Sequence, residues 1–146
     1  MDSKEKIREI AEKVRKSCLK KYKSRFPDTL EGCCSIASGR LFKELSKNGF
    51  HPIIVEVDND SEMCCHCFII CNGYLVDITA TQFDQDPICI FRRKIHNNDQ
   101  RNEFWYWYWK KRIYYHSVHE LKKKQLRDGW DKDQVYWSRN YKCDNG

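Results

Sequence analysis

The sequence predicts a single α+β domain in which N-terminal helices pack on an antiparallel sheet. Three features predict this fold. Apolar residues recur at helical spacing in the first third of the chain, short β-rich runs dominate the middle, and an Asn-Gly pair separates two of those runs. A length of 146 residues suits one compact domain. Because no repeat, low-complexity segment or linker divides the chain, we assign residues 1–146 to one domain.

Helical patterns occur in three segments, residues 3–23, 34–47 and 118–128. The first makes residues 1–25 an N-terminal amphipathic helix, for which Ser3 is the predicted cap. Asn48-Gly49 is a predicted C-terminal stop for the second helix, and Gly129 for the last.

Runs with the composition of β-strands occur at residues 52–57, 65–71, 74–78, 88–91 and 105–116. Asn72-Gly73 separates the second run from the third and predicts a hairpin with a two-residue loop. In such a hairpin the numbers of directly opposed residues sum to 145, as for Cys71 and Tyr74. One face of the hairpin is then predicted to carry His66, Phe68, Ile70, Leu75, Asp77 and Thr79.

The net charge of +6 divides into basic ends and an acidic centre. Residues 1–25 carry a net charge of +6 and residues 92–146 one of +7, whereas residues 26–91 carry −7. A nucleic-acid binder normally concentrates positive charge on its working surface. Because the cysteine-rich centre is the acidic part, a nucleic-acid partner is disfavoured.

Nine cysteines, an odd number that includes two adjacent pairs, fit poorly with a disulfide framework. The N-terminal segment does not have the pattern of a signal peptide, and no apolar run is long enough to span a membrane. We therefore expect a reduced protein in the cytoplasm, or one delivered into a host cytoplasm. Its cysteines would then be free thiols or metal ligands, or one of them would be a nucleophile and the others would have no chemical role.

A zinc site is the alternative use of these cysteines. Cys64, Cys67 and Cys71 together with His66 resemble a ligand cluster. However, Cys65, Cys67 and Cys71 are predicted to lie on the opposite face of the strand from His66. We therefore expect no metal and no organic cofactor, and we interpret the cysteines other than the nucleophile as small apolar residues.

A catalytic arrangement follows from the predicted hairpin. His66 and Asp77 become diagonal neighbours on two strands, and the carboxylate can accept the Nδ1–H of the imidazole. Cys33 and Cys34 stand where the second helix begins, and a helix N-terminus lowers the pKa of a thiol. A cysteine, a histidine and an orienting acid are the parts of a thiol enzyme.

Three motifs resemble small bacterial and phage members of the transglutaminase-like, papain-like cysteine enzymes. The motifs are GCCSIAS (32–38), HCFII (66–70) and DITATQF (77–83), within a core of residues 30–137. The resemblance implies a papain/transglutaminase-like core with Cys34 as nucleophile, His66 as general base and Asp77 as orienting acid. It leaves Thr79 and Gln82 as structural or oxyanion-binding residues.

The resemblance is specific for a superfamily and not for one reaction, since its members hydrolyse peptides, deamidate glutamine, cross-link amines or transfer acyl groups through a cysteinyl thioester. Papain-like proteases have an oxyanion-binding glutamine about six positions before the nucleophile, where this chain has Asp28. We therefore expect a protein glutamine deamidase acting on a partner protein, as in effectors that deamidate a host glutamine. A cysteine protease, a transglutaminase or another acyltransferase remains the alternative.

An aromatic segment at residues 104–115 admits two interpretations. Trp105, Trp107 and Trp109 alternate with other aromatic residues, which is typical of a strand buried on both faces. The same residues are common at protein interfaces, so a non-catalytic protein-binding module is a further alternative. Stacking on single-stranded nucleic acid is disfavoured by the acidic centre. Residues 138–146 are predicted to form a disordered tail, and the oligomeric state stays open.

Overall fold

The structure, a computed structural model, describes residues 2–21, 34–59, 64–83, 86–92 and 111–127, with the backbone alone for 58–59, 64–65, 82–83 and 111–112. Within these ranges the chain forms three α-helices and a five-stranded antiparallel sheet. The α+β class is therefore confirmed. The predicted tail 138–146 and the residues Trp105, Trp107 and Trp109 lie outside the described part of the chain.

The helices are α1 (Ser3–Lys21), α2 (Cys34–Lys47) and α3 (Val118–Arg127). The strands are β1 (Ile53–Asn59), β2 (Cys64–Cys71), β3 (Tyr74–Asp77), β4 (Cys89–Arg92) and β5 (Lys111–Tyr115), and a single 3₁₀ turn, Ala80–Phe83, follows β3. Each lies within a few residues of a predicted element, although the predicted strand 105–116 is described only from residue 111. The sheet order is β4-β3-β2-β1-β5.

Local hydrogen bonds set the helix ends. The cap of α1 is Asp2 and not the predicted Ser3, because the Asp2 carboxylate accepts the Glu5 amide at 2.9 Å. At the end of α2, the amide of Phe50 donates to the Leu45 carbonyl at 3.1 Å, across Gly49 at φ +85°. This closure needs a left-handed residue, so the predicted Asn48-Gly49 stop is confirmed.

The β2–β3 hairpin has the predicted register. Cys71 pairs with Tyr74 and Ile70 with Leu75, so the numbers of opposed residues sum to 145. Asn72 and Gly73 both have positive φ, 52° and 82°, as a type I′ turn requires. This turn matches the right-handed twist of the strands, which explains why two residues suffice to fix the register of the pairs from Cys71–Tyr74 to Ile69–Val76.

The sheet buries apolar side chains on both faces. One cluster, which we call the helix-side core, joins all three helices to the sheet through Ile7, Ile10, Ala11, Val14, Cys18, Ile36, Ala37, Leu41, Leu45, Ile54, Ile69, Cys71, Val76, Ile78, Ile90, Tyr115 and Leu121. A second cluster, the far-side core, contains Val55, Val57, Phe68, Ile70, Leu75, Ala80 and Cys89. His66 is paired with Val57, and Asp77 with Cys89, so both project from the far side.

None of the described helices is long and apolar enough to cross a bilayer.

Candidate active site

His66 and Asp77 form a buried hydrogen-bonded pair. The Nε2 of His66 lies 2.6 Å from Oδ2 of Asp77, and the two residues are 0% and 1% exposed. The predicted contact is therefore present, but the predicted nitrogen is wrong, since Nε2 and not Nδ1 faces the carboxylate. Because Nε2 is engaged by Asp77, we assign the contact of the ring with the Cys34 sulfur to Nδ1.

Thr79 fixes the second oxygen of Asp77. The Thr79 amide donates to Oδ1 at 2.9 Å, and its hydroxyl donates to the same oxygen at 3.3 Å. Two hydrogen bonds to one oxygen of a buried carboxylate hold the orientation of that carboxylate. Of the two roles left open for Thr79, these contacts favour support of Asp77.

Arg15 supports the same segment from α1, and the sequence patterns did not single it out. Its side chain is 7% exposed, and Nη1 donates to the carbonyl of Ile78. Nη2 donates to the Thr81 hydroxyl at 3.4 Å. Arg15 thus ties α1 to the residues on either side of Thr79. Its place between Ala11 and Cys18 on the buried helical stripe was a usable signal, because an arginine there needs a buried partner.

Cys34 is the first residue of α2, and three donors surround its sulfur. Cys67 contributes two of them, its thiol and its backbone N–H, and His66 contributes the third. The Cys34 residue itself is half-buried, whereas Cys67 is buried. The β2–β3 pairing ends at Ile69 and Val76, and Cys67 lies two residues further along β2. The start of α2 therefore meets β2 just beyond the hairpin ladder.

These contacts shift the two ionisable groups in opposite directions. The pKa of Cys34 is held well below its usual 9.0 by the Cys67 thiol, which outweighs the opposing effect of burial; the hydrogen bond and charge of His66 and the Cys67 amide lower it further. Burial acts to lower the pKa of His66, but the charge and hydrogen bond of Asp77 and the contact with Cys34 raise it to about 10. The arrangement therefore favours a thiolate beside an imidazolium at neutral pH.

In two other described cysteines the pKa of the thiol is raised and not lowered. Burial raises the pKa of Cys18 to about 11, against a lowering effect of Arg40, Arg15 and Lys21. Burial alone raises the pKa of Cys71 to about 11. Both contribute to the helix-side core as apolar thiols. Cys67 departs from the prediction that the remaining cysteines are only small apolar residues, because its thiol contacts Cys34.

Some candidate residues stay untested by this geometry. Cys33 and Asp28 lie outside the described residues, as does the side chain of Gln82, whose backbone belongs to the 3₁₀ turn. Across the described ranges, no group of three or more His, Cys, Asp or Glu side chains is arranged to hold a metal ion.

No protein-family model, curated protein or solved structure matches the chain. The resemblance of the three motifs to the transglutaminase-like enzymes therefore stays a prediction. A sulfur at a helix N-terminus contacts an imidazole that is oriented by a buried carboxylate, which is the arrangement of a nucleophile, a base and its orienting group.

Proposed function

We propose that this protein is a cysteine-dependent acyl-transfer enzyme that deamidates glutamine side chains of a partner protein. One observation carries the proposal: Cys34, His66 and Asp77 form a continuous chain of contacts in which the pKa of the thiol is lowered and that of the imidazole is raised. Such opposed shifts are characteristic of catalytic pairs.

In the first step the Cys34 thiolate attacks the carbonyl carbon of the glutamine side chain. A bond from sulfur to carbon forms and the carbonyl electrons move to oxygen. The amide N–H of Cys34, at the start of α2, is suited to stabilise that oxyanion. When the intermediate collapses, the carbon–nitrogen bond breaks and His66 gives its proton to the departing ammonia.

In the second step water resolves the thioester. His66, now neutral, takes a proton from the attacking water, and the sulfur leaves as a thiolate. The glutamine has become glutamate, and the site returns to its first state. Asp77 holds Nε2 throughout, so that Nδ1 remains the nitrogen that exchanges the proton.

Two features support deamidation over general proteolysis. Asp28 occupies the place where the resembling proteases have an oxyanion-binding glutamine. The histidine, the carboxylate and Thr79 are all buried, so a substrate meets the half-buried Cys34 first. The carboxamide of a glutamine is separated from the backbone by two methylene groups, so it can reach a recessed sulfur while the substrate backbone stays folded.

The test is incubation of the full-length protein with a cell protein extract in ¹⁸O-labelled water, followed by peptide mass spectrometry. Deamidation adds about 1 Da to a glutamine, and about 2 Da more when the oxygen comes from labelled water. We expect such a gain at a small number of glutamines. It must be absent with a Cys34→Ala protein and present with a Cys71→Ala protein, which removes a buried thiol of β2.

The alternatives give different products in the same experiment. New peptide termini carrying ¹⁸O would indicate a protease, and glutamine–amine adducts would indicate a transglutaminase. Products that persist undiminished with Cys34→Ala would contradict thiol catalysis altogether.

A further inference from the structure

Two thiols meet at the candidate site, and the acyl-transfer mechanism uses only one of them. The Cys67 thiol donates a hydrogen bond to the Cys34 sulfur, and the helix that begins at Cys34 packs against the strand in which Cys67 is buried. They belong to different elements, since Cys34 begins α2 and Cys67 lies in β2. A bond between them would join the helix to the centre of the sheet.

We propose that Cys34 and Cys67 are a reversible oxidation site, in which hydrogen peroxide converts the two thiols into a disulfide and Cys67 acts as the resolving cysteine. Redox-sensitive cysteines are thiolates that are accessible to small oxidants and adjacent to a second thiol. Cys34 is half-buried and in contact with His66 and with a buried thiol. The proposal rests on this cluster and does not depend on which acyl group the protein transfers.

The first step oxidises Cys34. Its thiolate attacks one oxygen of the peroxide, the oxygen–oxygen bond breaks, and hydroxide leaves. His66 lies in contact with the sulfur as a proton donor, so the hydroxide departs as water. Cys34 is then a sulfenic acid.

The second step forms the disulfide. The Cys67 sulfur attacks the Cys34 sulfur, a sulfur–sulfur bond forms and the sulfur–oxygen bond breaks. The hydroxyl group leaves with the Cys67 proton as a second water. In total, the two thiols lose two electrons and the peroxide gains them. While the disulfide persists, Cys34 cannot attack a carbonyl, and it is protected from oxidation to the irreversible sulfinic acid.

The other described thiols are less suited to this reaction. Cys18 and Cys71 are buried, and burial raises the pKa of each to about 11, so they remain protonated at neutral pH. The thiol of Cys89 donates to the Asp86 carbonyl at 3.4 Å. Oxidation is therefore expected to begin at Cys34, and Cys67 is the described thiol in contact with it.

The experiment exposes the reduced full-length protein at pH 7 to a small molar excess of hydrogen peroxide, and free thiols are then blocked. Trypsin places Cys34 in peptide 26–40 and Cys67 in peptide 48–92. We expect these two peptides to be linked, with a loss of about 2 Da relative to their sum. Fragment ions should assign the bond to Cys34 and Cys67, and dithiothreitol should release it and restore iodoacetamide labelling of Cys34.

Two variants control the assignment. With Cys67→Ala the linked peptide should disappear, and Cys34 should instead gain about 32 Da as sulfinic acid. With the matched Cys71→Ala, the linkage should form as in the wild type. A wild-type protein whose Cys34 goes to sulfinic acid without linkage, or whose Cys34 pairs with another cysteine, would overturn the proposal. These results concern the oxidised protein, so they are separate from deamidation by the reduced protein, which can succeed or fail independently.

Discussion

Replacement of Asp77 by asparagine tests the electrostatic coupling of the site with almost no change in shape. Asp77 accepts hydrogen bonds on both oxygens, from His66 at 2.6 Å and from Thr79 at 2.9 Å and 3.3 Å. An asparagine has only one accepting oxygen. If that oxygen serves the Thr79 amide, the NH₂ group faces Nε2 of His66, and the ring proton moves to Nδ1. The ring then cannot take a proton from Cys34.

The magnitude follows from the pKa values. At a pKa of about 10 His66 is almost wholly protonated at pH 7, whereas at its ordinary 6.5 about a quarter would be. A cysteine with its ordinary pKa of 9.0 is about 1% thiolate at pH 7. Complete loss of the coupling would therefore slow thiolate reactions of Cys34 about 100-fold. Because the Cys67 donors remain in Asp77→Asn, we expect a decrease between about tenfold and 100-fold.

The assay is the rate of iodoacetamide alkylation of Cys34 at pH 7, read from peptide 26–40 with fragment ions that separate Cys33 from Cys34. Glu12→Gln removes an exposed carboxylate of α1 and is the matched control, with an expected rate equal to wild type. Circular dichroism establishes that each variant is folded. A folded Asp77→Asn protein that is alkylated as fast as wild type would refute the reasoning.

Three further predictions concern pH, the buried arginine and the turn. The rate of acyl transfer from 4-nitrophenyl acetate should decline above about pH 10, where His66 loses its proton, and in acid, where Cys34 becomes protonated. A rate–pH profile that follows a free thiol, rising through pH 9, would contradict this. Arg15→Met should lower the free energy of unfolding in urea by about 1–3 kcal/mol, because Ile78 loses a buried donor, whereas the exposed Lys16→Met should change it little. Gly73→Ala, at φ +82° with open space around the added methyl group, should cost about 1–2 kcal/mol from backbone strain alone, and equal stability of the two proteins in urea would be evidence against the type I′ turn.

The hairpin explains why so much of the site could be predicted from the sequence. Asn72-Gly73 is a local signal, and it fixes the register of β2 and β3 through the geometry of two residues. The contact of His66 with Asp77 follows from that register and alternation. The bounds of α2 were predictable for the same reason, because helical periodicity and the Gly49 stop are local.

What the sequence left unpredicted depends on tertiary contacts. The ring nitrogen that faces Asp77 depends on the side-chain torsions of His66, which the alternation of residues along a strand does not specify. Cys67 was placed on the face opposite His66, yet both contact Cys34, because the start of α2 meets β2 beyond the hairpin ladder. Arg15 donates a hydrogen bond to the carbonyl of Ile78, which lies 63 positions later in the sequence. A periodic pattern within one helix contains no information about so distant a partner.

The most direct test of the central claim, that Cys34 is a nucleophile activated by His66, is the acetylation of the reduced full-length protein by 4-nitrophenyl acetate at pH 7. Peptide mass spectrometry over time should detect a gain of about 42 Da at Cys34 before any other cysteine, followed by its loss to water. In a folded His66→Ala protein both steps should be slower. Acetylation that begins at another cysteine, or that reaches Cys34 equally fast without His66, would contradict the account.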